Sequence, residues 1–252
     1  MYKHTLPLKL KPQFETELIR LGKNNDGGYL IPKKSLNSSN KLYSFGLDDD
    51  YSFEKDFYKK TNVEVVCYDQ SVNFKFFLKP FLFGHFSKLF KYLGYRFFFD
   101  GKKRKHLKKN IIPRGTFKFD YEVDSADIDS IIKEDPSNDI FFKIDIEGSE
   151  YRILSQLIKY SSHISGLVIE FHDCDLNLDK IINFFENFEL QIVHIHVNNW
   201  SYISSNGLPQ CLEITFSPKK FNSKLKDEDK KYPISLDQSN NSNFKDLPIE
   251  FI

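Results

Sequence analysis

The run Asp139-Ile140-Phe141-Phe142-Lys143-Ile144-Asp145-Ile146-Glu147-Gly148-Ser149-Glu150 constrains what this chain can fold into more than any other. An apolar core of strand length runs straight into carboxylates and a glycine, and then into a helical pattern. Open α/β sheets place their ligands just outside the carboxyl ends of the strands, where such residues would stand. Alternation along the strand sets Lys143, Asp145 and, one step further, Glu147 on one side of its end. The run Gly166-Leu167-Val168-Ile169-Glu170-Phe171-His172-Asp173 repeats the device, with Glu170 and His172 on a common face.

The remaining segments supply a sheet for these two ends. Leu42 to Gly46 reads as the first strand, Glu54 to Lys60 as the helix after it, and Val63 to Asp69 as a second strand ending in a carboxylate. Apolar spacing at Phe14, Leu18, Ile19 and Leu21 predicts a short helix over 12–22 closed by Gly22, followed by a turn at Asp26-Gly27-Gly28. Thr116 to Asp124 alternates as a strand and Ala126 to Glu134 has helical spacing. Beyond Gly148, the positions of Tyr151, Ile153, Leu154, Leu157 and Ile158 predict a helix from Ser149 to about Tyr160. Leu167 to Phe171 is a fifth strand and Leu178 to Phe188 a helix. Leu190 to Val197 and Cys211 to Phe216 then follow without a helix between them, which implies an antiparallel closing hairpin. Repeated β-α units ending in a hairpin predict an α/β fold, the Rossmann-like, seven-stranded, mostly parallel sheet of class I methyltransferases with helices on both faces.

A chain of 252 residues, 40% apolar and 28% charged, is long enough for one well-buried domain over 1–252. Within it, residues from about 73 to 110 are crowded with phenylalanine and cations and read as an inserted element. From about 217 the chain is a polar, Asn-rich tail in which Tyr232, Phe244 and Phe251 are candidates to dock on the body. A formal charge of +1 gives no global reason to bind nucleic acid or an anionic membrane. Cys67, Cys174 and Cys211 lie far apart, against a disulfide framework or zinc knuckle and in favour of a reducing cytoplasm. Residues 1–9 lack the apolar core of a secretion signal, and no run reaches the roughly 18 apolar residues of a membrane span.

The Lys143-to-Glu150 segment and the Glu170-Phe171-His172 triplet resemble the signature of FkbM-type methyltransferases, in which a Lys-Ile-Asp-x-Glu-Gly-x-Glu segment closes the fourth strand and Glu-Phe-His the fifth. The resemblance extends to Asp26-Gly27-Gly28-Tyr29-Leu30-Ile31-Pro32, to Tyr43-Ser44-Phe45-Gly46 with Ser52-Phe53-Glu54, and to Pro233-Ile234-Ser235-Leu236-Asp237. It implies an O-methyltransferase using S-adenosylmethionine on a hydroxyl of a sugar or nucleotide-linked glycan precursor, as in surface polysaccharide biosynthesis.

The strand-end residues fit that chemistry. Gly46 lets the backbone turn tightly beside a ligand, and Asp48-Asp49-Asp50 would repel a diphosphate but accept hydrogen bonds from an ammonium and favour a sulfonium. Asp69 sits where a carboxylate accepts both ribose hydroxyls, and Asp124 and Ser125 would meet the adenine edge or cap the following helix. Gly46, Asp48 and Asp69 would therefore cradle the cofactor. His172, oriented by Glu170 or Asp173, is the candidate base, with Asp145 or Glu147 competing for that role or positioning the cofactor or the acceptor hydroxyl.

Lys143 would tether a carboxylate in the same cluster. His194, His196 and Asn198 recur at period 2 and read as a wall of the acceptor pocket. The Phe/Lys stretch reads as a lid, as an interface with another subunit or a membrane surface, or as packing. Its run Lys102 to Lys109 suits a phosphate-bearing acceptor.

The same carboxylates suit a divalent metal that holds a substrate diol. Two other functions remain open. Asp173-Cys174-Asp175 and the acidic triplet are formally the Asp-x-Asp device of a metal-dependent glycosyltransferase, and the Phe/Lys stretch suits a non-catalytic, membrane-associated factor.

Overall fold

The computed structural model describes residues 3–69, 86–107, 128–134, 137–227 and 229–252. Seven strands form the central sheet: β1 (Lys41–Phe45), β2 (Glu64–Tyr68), β3 (Arg104–Leu107), β4 (Ile140–Ile144), β5 (Ile164–Phe171), β6 (Gln191–Val197) and β7 (Leu212–Ser217), in the order β6-β7-β5-β4-β1-β2-β3. Strands β1 to β5 run parallel, and β7 lies antiparallel between β5 and β6. Every residue of β4 and β5 is buried, as expected of parallel strands covered on both faces.

The α-helices among the described residues are α1 (Lys33–Ser38), α2 (Ser52–Thr61), α3 (Phe86–Phe99), α4 (Ile128–Glu134), α5 (Leu154–Lys159) and α6 (Cys174–Asn187). Strand alternation splits the core in two. Tyr43, Phe45, Phe142, Leu167 and Ile169 point to the face covered by Ile131 of α4, Leu157 of α5 and Phe184 of α6. Leu42, Val65, Phe141 and Val168 point to the face covered by Leu36 of α1, Phe57 of α2 and Tyr95 of α3. Phe57 meets Phe141 with ring centroids 5.3 Å apart. Truncating a phenylalanine buried this way costs about 3–5 kcal/mol.

Two sequence expectations change. The helix expected over 12–22 is two short strands, Phe14–Glu15 and Leu18–Leu21. Leu18–Leu21 pairs antiparallel with Tyr29–Pro32, so backbone partners supplied across a glycine-bearing turn override the local helical spacing. The helix expected from Ser149 begins instead as a 3-10 turn, Glu150–Arg152, with α5 starting only at Leu154. Glu150 folds its side chain back onto the amides of Ile146 and Gly148, which tightens that first turn.

The described part of the Phe/Lys stretch, 86–107, forms α3 and the edge strand β3. Phe98 packs inward against Tyr51, with centroids 5.5 Å apart, whereas Phe90 and Phe97 are 72% and 83% exposed. The strand expected at 116–124 lies outside the described residues.

The tail returns to the body. Ile249–Phe251 pairs with His4–Leu6 and Ser223–Lys224 with Phe14–Glu15; Tyr232 is buried against Phe251, and Phe244 is exposed. Among the described residues, no helix is long and apolar enough to cross a membrane.

Candidate active site

The carboxyl ends of β1, β2, β4 and β5 come together at one edge of the sheet. Gly46 follows β1 with φ +80, and a Cβ built there would lie 1.6 Å from the carbonyl oxygen of Asp145, so only glycine lets these two loops touch. Asp69, at the end of β2, accepts hydrogen bonds from the amides of Leu47 at 2.7 Å and Asp48 at 3.0 Å. Its carboxylate thereby fixes the loop after β1. Asp50 accepts from the amide of Ser52 at the start of α2 and pairs with Lys23, and Asp49 pairs with Lys91, so part of the acidic triplet has structural work. A cavity of about 330 Å³ opens here, lined among others by Gly46, Asp48, Asp69, Lys143, Asp145 and Glu147.

Beneath that cavity Lys143 is buried and donates to the carbonyl oxygen of Gly46, with Asp145 at 3.7 Å. Burial opposes its charge, but the carboxylates of Asp145, Glu54 and Glu170 outweigh burial and raise its pKa. Lys143 is thus an internal counter-ion. Glu54 of α2, also buried, accepts from Ser44 at 2.5 Å, and burial raises its pKa above the usual carboxylate range.

A second cavity, also about 330 Å³, is lined by Asp145, Glu147, Glu170, His172, Asn198 and Trp200, together with Asp26, Asp173, Ser201, Gln210 and Cys211. Asp145 and Glu147 line both cavities. His172 pairs its Nδ1 with Glu150 Oε1 at 3.0 Å, and its Nε2 stands 3.8 Å from Glu147, 3.8 Å from Glu170 and 4.0 Å from Asp145. Burial works against a charge on this ring, yet the bond to Glu150 and the charges of Glu150, Glu170 and Asp145 push its pKa up to about 10.

Glu170 is buried and receives three donors: Asn198 Nδ2 at 2.8 Å, Cys211 Sγ at 2.8 Å and the hydroxyl of Tyr29 at 3.1 Å. Burial, reinforced by the charges of Asp145 and Glu213, raises its pKa to about 8. The same Tyr29 hydroxyl lies 2.9 Å from Asp145 Oδ2, its shorter contact, so its single proton is shared between the two carboxylates. Trp200, 60% exposed, forms a rim of the second cavity.

The structure therefore gathers Asp145, Glu147, Glu170, His172 and Asn198 around one cavity and Gly46, Asp48, Asp69 and Lys143 around its neighbour. His194 and His196 line neither of these cavities. They lie buried under the tail, His194 on Asp237 at 2.8 Å and His196 between Glu213 at 3.0 Å and Asp246 at 3.1 Å. Asp124 and Ser125 lie outside the described residues. Sequence reasoning passed over Tyr29 and Glu150 as site residues. Both stand inside the quoted motifs, but their partners lie on other loops.

The FkbM methyltransferase domain model matches residues 7–192. No curated protein matches the chain. Among solved structures, it is similar to an uncharacterized protein from Listeria monocytogenes serotype 4b, with 11% identity and a TM-score of 0.39, covering 75% of this chain and 66% of that one. It is similar to an rRNA methylase from Streptococcus thermophilus at 8% identity and a TM-score of 0.38, covering 73% of this chain and 90% of the other. A putative methyltransferase from Streptococcus mutans, solved with SAH, is similar at 11% identity and a TM-score of 0.39, with 73% and 93% of the two chains covered.

Proposed function

This chain belongs to the FkbM methyltransferase family and is an S-adenosylmethionine-dependent methyltransferase, and from that premise we propose that it methylates a hydroxyl of a sugar or glycan precursor. The β6-β7-β5-β4-β1-β2-β3 sheet is then the class I methyltransferase sheet, with the donor over the ends of β1 and β2. The first cavity suits that donor in size and in charge: the lysines on its lining are already paired, Lys23 with Asp50 and Lys143 with Asp145, so it presents an acidic surface to an ammonium and a sulfonium.

The donor supplies an electrophilic methyl group; the residues of the chain do the rest. Asp69, held by the amides of Leu47 and Asp48, receives the ribose hydroxyls, and the acidic loop after Gly46 receives the methionine ammonium. Asp145 and Glu147 stand at the junction of the two cavities, where the acceptor oxygen must lie in line with the methyl group. A carboxylate of the cluster, Asp145 or Glu147, takes the hydroxyl proton as attack proceeds; the His172 ring, expected from the sequence as the base, is held charged by Glu150 and its neighbours and serves instead to position those carboxylates.

The single observation that carries this reading is the junction itself: two cavities that share Asp26, Asp145 and Glu147. The acceptor cavity carries Asp26, Asp145, Glu147, Glu170 and Asp173 against one imidazole, which favours an uncharged polyol face and keeps any phosphate of a nucleotide-linked acceptor outside. Trp200 on the rim offers a ring on which a sugar can stack. The test is methyl transfer from isotopically labelled donor to a panel of free sugars, nucleotide sugars and oligosaccharides, read by mass spectrometry. Label on a sugar oxygen supports the proposal. Label confined to amines, carboxylates or nucleic acid overturns it.

A further inference from the structure

Three carboxylates, those of Asp145, Glu147 and Glu170, stand within 4.0 Å of Nε2 of His172. Glu170 is hydrogen-bonded by an amide, a thiol and a phenol, which hold it in place behind the ring. Asp145, Glu147 and His172 all line the acceptor cavity, whereas Lys143, the counter-ion 3.7 Å from Asp145, lines the neighbouring one.

The near atoms of Asp145, Glu147 and His172 all lie within 4.8 Å of one another. Metal–ligand bonds of about 2.1 Å place donor atoms about 3–4 Å apart, the spacing of Nε2 to its two neighbours here. The far atoms of two of these side chains are held by other groups. Glu150 holds Nδ1 of His172, which sets the ring so that Nε2 faces the carboxylates, and Tyr29 holds Oδ2 of Asp145, leaving Oδ1 turned toward the ring. A carboxylate behind a histidine and a donor behind a carboxylate are the outer partners that orient ligands in metal sites. Glu150 also accepts the amides of Ile146 and Gly148, so one buried carboxylate fixes both the ring and the turn that carries Glu147.

We propose that Asp145, Glu147 and His172 form a site for a divalent transition-metal ion of the Mn²⁺ type, open to the acceptor cavity, where the ion would hold adjacent hydroxyls of the acceptor. Two carboxylates and one imidazole suit a metal of intermediate hardness better than Mg²⁺ or Ca²⁺, which prefer oxygen alone. A metal-held hydroxyl loses its proton more readily, which is the chemistry an alcohol acceptor needs. The inference rests on the acceptor cavity of the proposed function, yet its test does not need the acceptor.

Chelator-treated protein is titrated with MnCl₂ by calorimetry and by Mn²⁺ electron paramagnetic resonance, and separately with S-adenosylhomocysteine. The expected result is one Mn²⁺ per chain, weakened about tenfold or more by E147Q and by H172Q. Retained melting temperature and retained S-adenosylhomocysteine binding in H172Q show that the variant is folded, and the exposed Glu147 gives a second variant whose loss does not disturb the core. No saturable Mn²⁺ binding, or binding unchanged in both variants, overturns the metal site. S-adenosylhomocysteine binding without Mn²⁺ binding removes the metal and leaves the methyltransferase reading standing. Mn²⁺ binding without S-adenosylhomocysteine binding does the reverse.

Discussion

The hydroxyl of Tyr29 stands 2.9 Å from Oδ2 of Asp145, tying the N-terminal hairpin to the end of β4. Burial, together with the charges of Asp145 and Glu170, raises the pKa of Tyr29 well above its ordinary value, so the group remains a donor. Tyr29→Phe keeps the ring, which packs edge-on against Phe53 at 5.8 Å, and removes the donor from both carboxylates. The variant should fold, lose about 1–3 kcal/mol of stability and melt several degrees lower. It should also lose most methyl transfer while retaining S-adenosylhomocysteine binding. Unchanged melting and unchanged turnover would show that the hydroxyl carries no weight.

Gly46→Ala should be far more damaging. The left-handed backbone costs a non-glycine residue about 1–3 kcal/mol, and the new methyl also collides with the backbone of Asp145. Thermal melting should fall well beyond the Tyr29→Phe value, with loss of S-adenosylhomocysteine binding. A variant that melts and binds like the parent would mean that the loops after β1 and β4 do not touch in solution.

Stability should decline on the alkaline side through the cluster under the tail. Burial opposes a charge on His196, but its bonds to Asp246 and Glu213 and the charges of Glu213 and Asp237 raise its pKa to about 10. A group held above its unfolded value of about 6.5 contributes fully below that pH and loses its contribution as pH rises through 10. His4, in the same cluster, is pushed the other way, to about 4, chiefly by burial, so it withdraws stability as pH falls from about 6.5 toward 4. Melting temperature measured from pH 6 to 10 should fall, and His196→Gln should flatten that slope. A slope identical in parent and variant would remove His196 from the account.

What the sequence made readable, and what it hid, follows from the range of the interactions. Strands β1, β2, β4 and β5 announce themselves through apolar runs that end in Gly46, Asp69, Asp145 and His172, because sheet burial acts residue by residue. Their convergence follows from parallel topology. The hairpin of Leu18–Leu21 with Tyr29–Pro32 stayed hidden because its partner strand, rather than its own spacing, decides its conformation. Tyr29 was missed for a related reason: its partners Asp145 and Glu170 lie 116 and 141 positions away. His194 and His196 alternate as an exposed wall would, but the tail brings Asp237 and Asp246 over them and turns that face into a buried, hydrogen-bonded layer.

The most direct measurement is calorimetric titration of S-adenosylhomocysteine into the parent protein and into Asp69→Ala. Asp69 accepts from the amides of Leu47 and Asp48, and hydrogen bonds to a charged group are worth about 1.5–3 kcal/mol. Saturable one-to-one binding by the parent is expected, with a loss of about tenfold or more in a variant that still folds. A folded parent that does not bind, or a variant that binds as tightly as the parent, would contradict a donor site over the ends of β1 and β2.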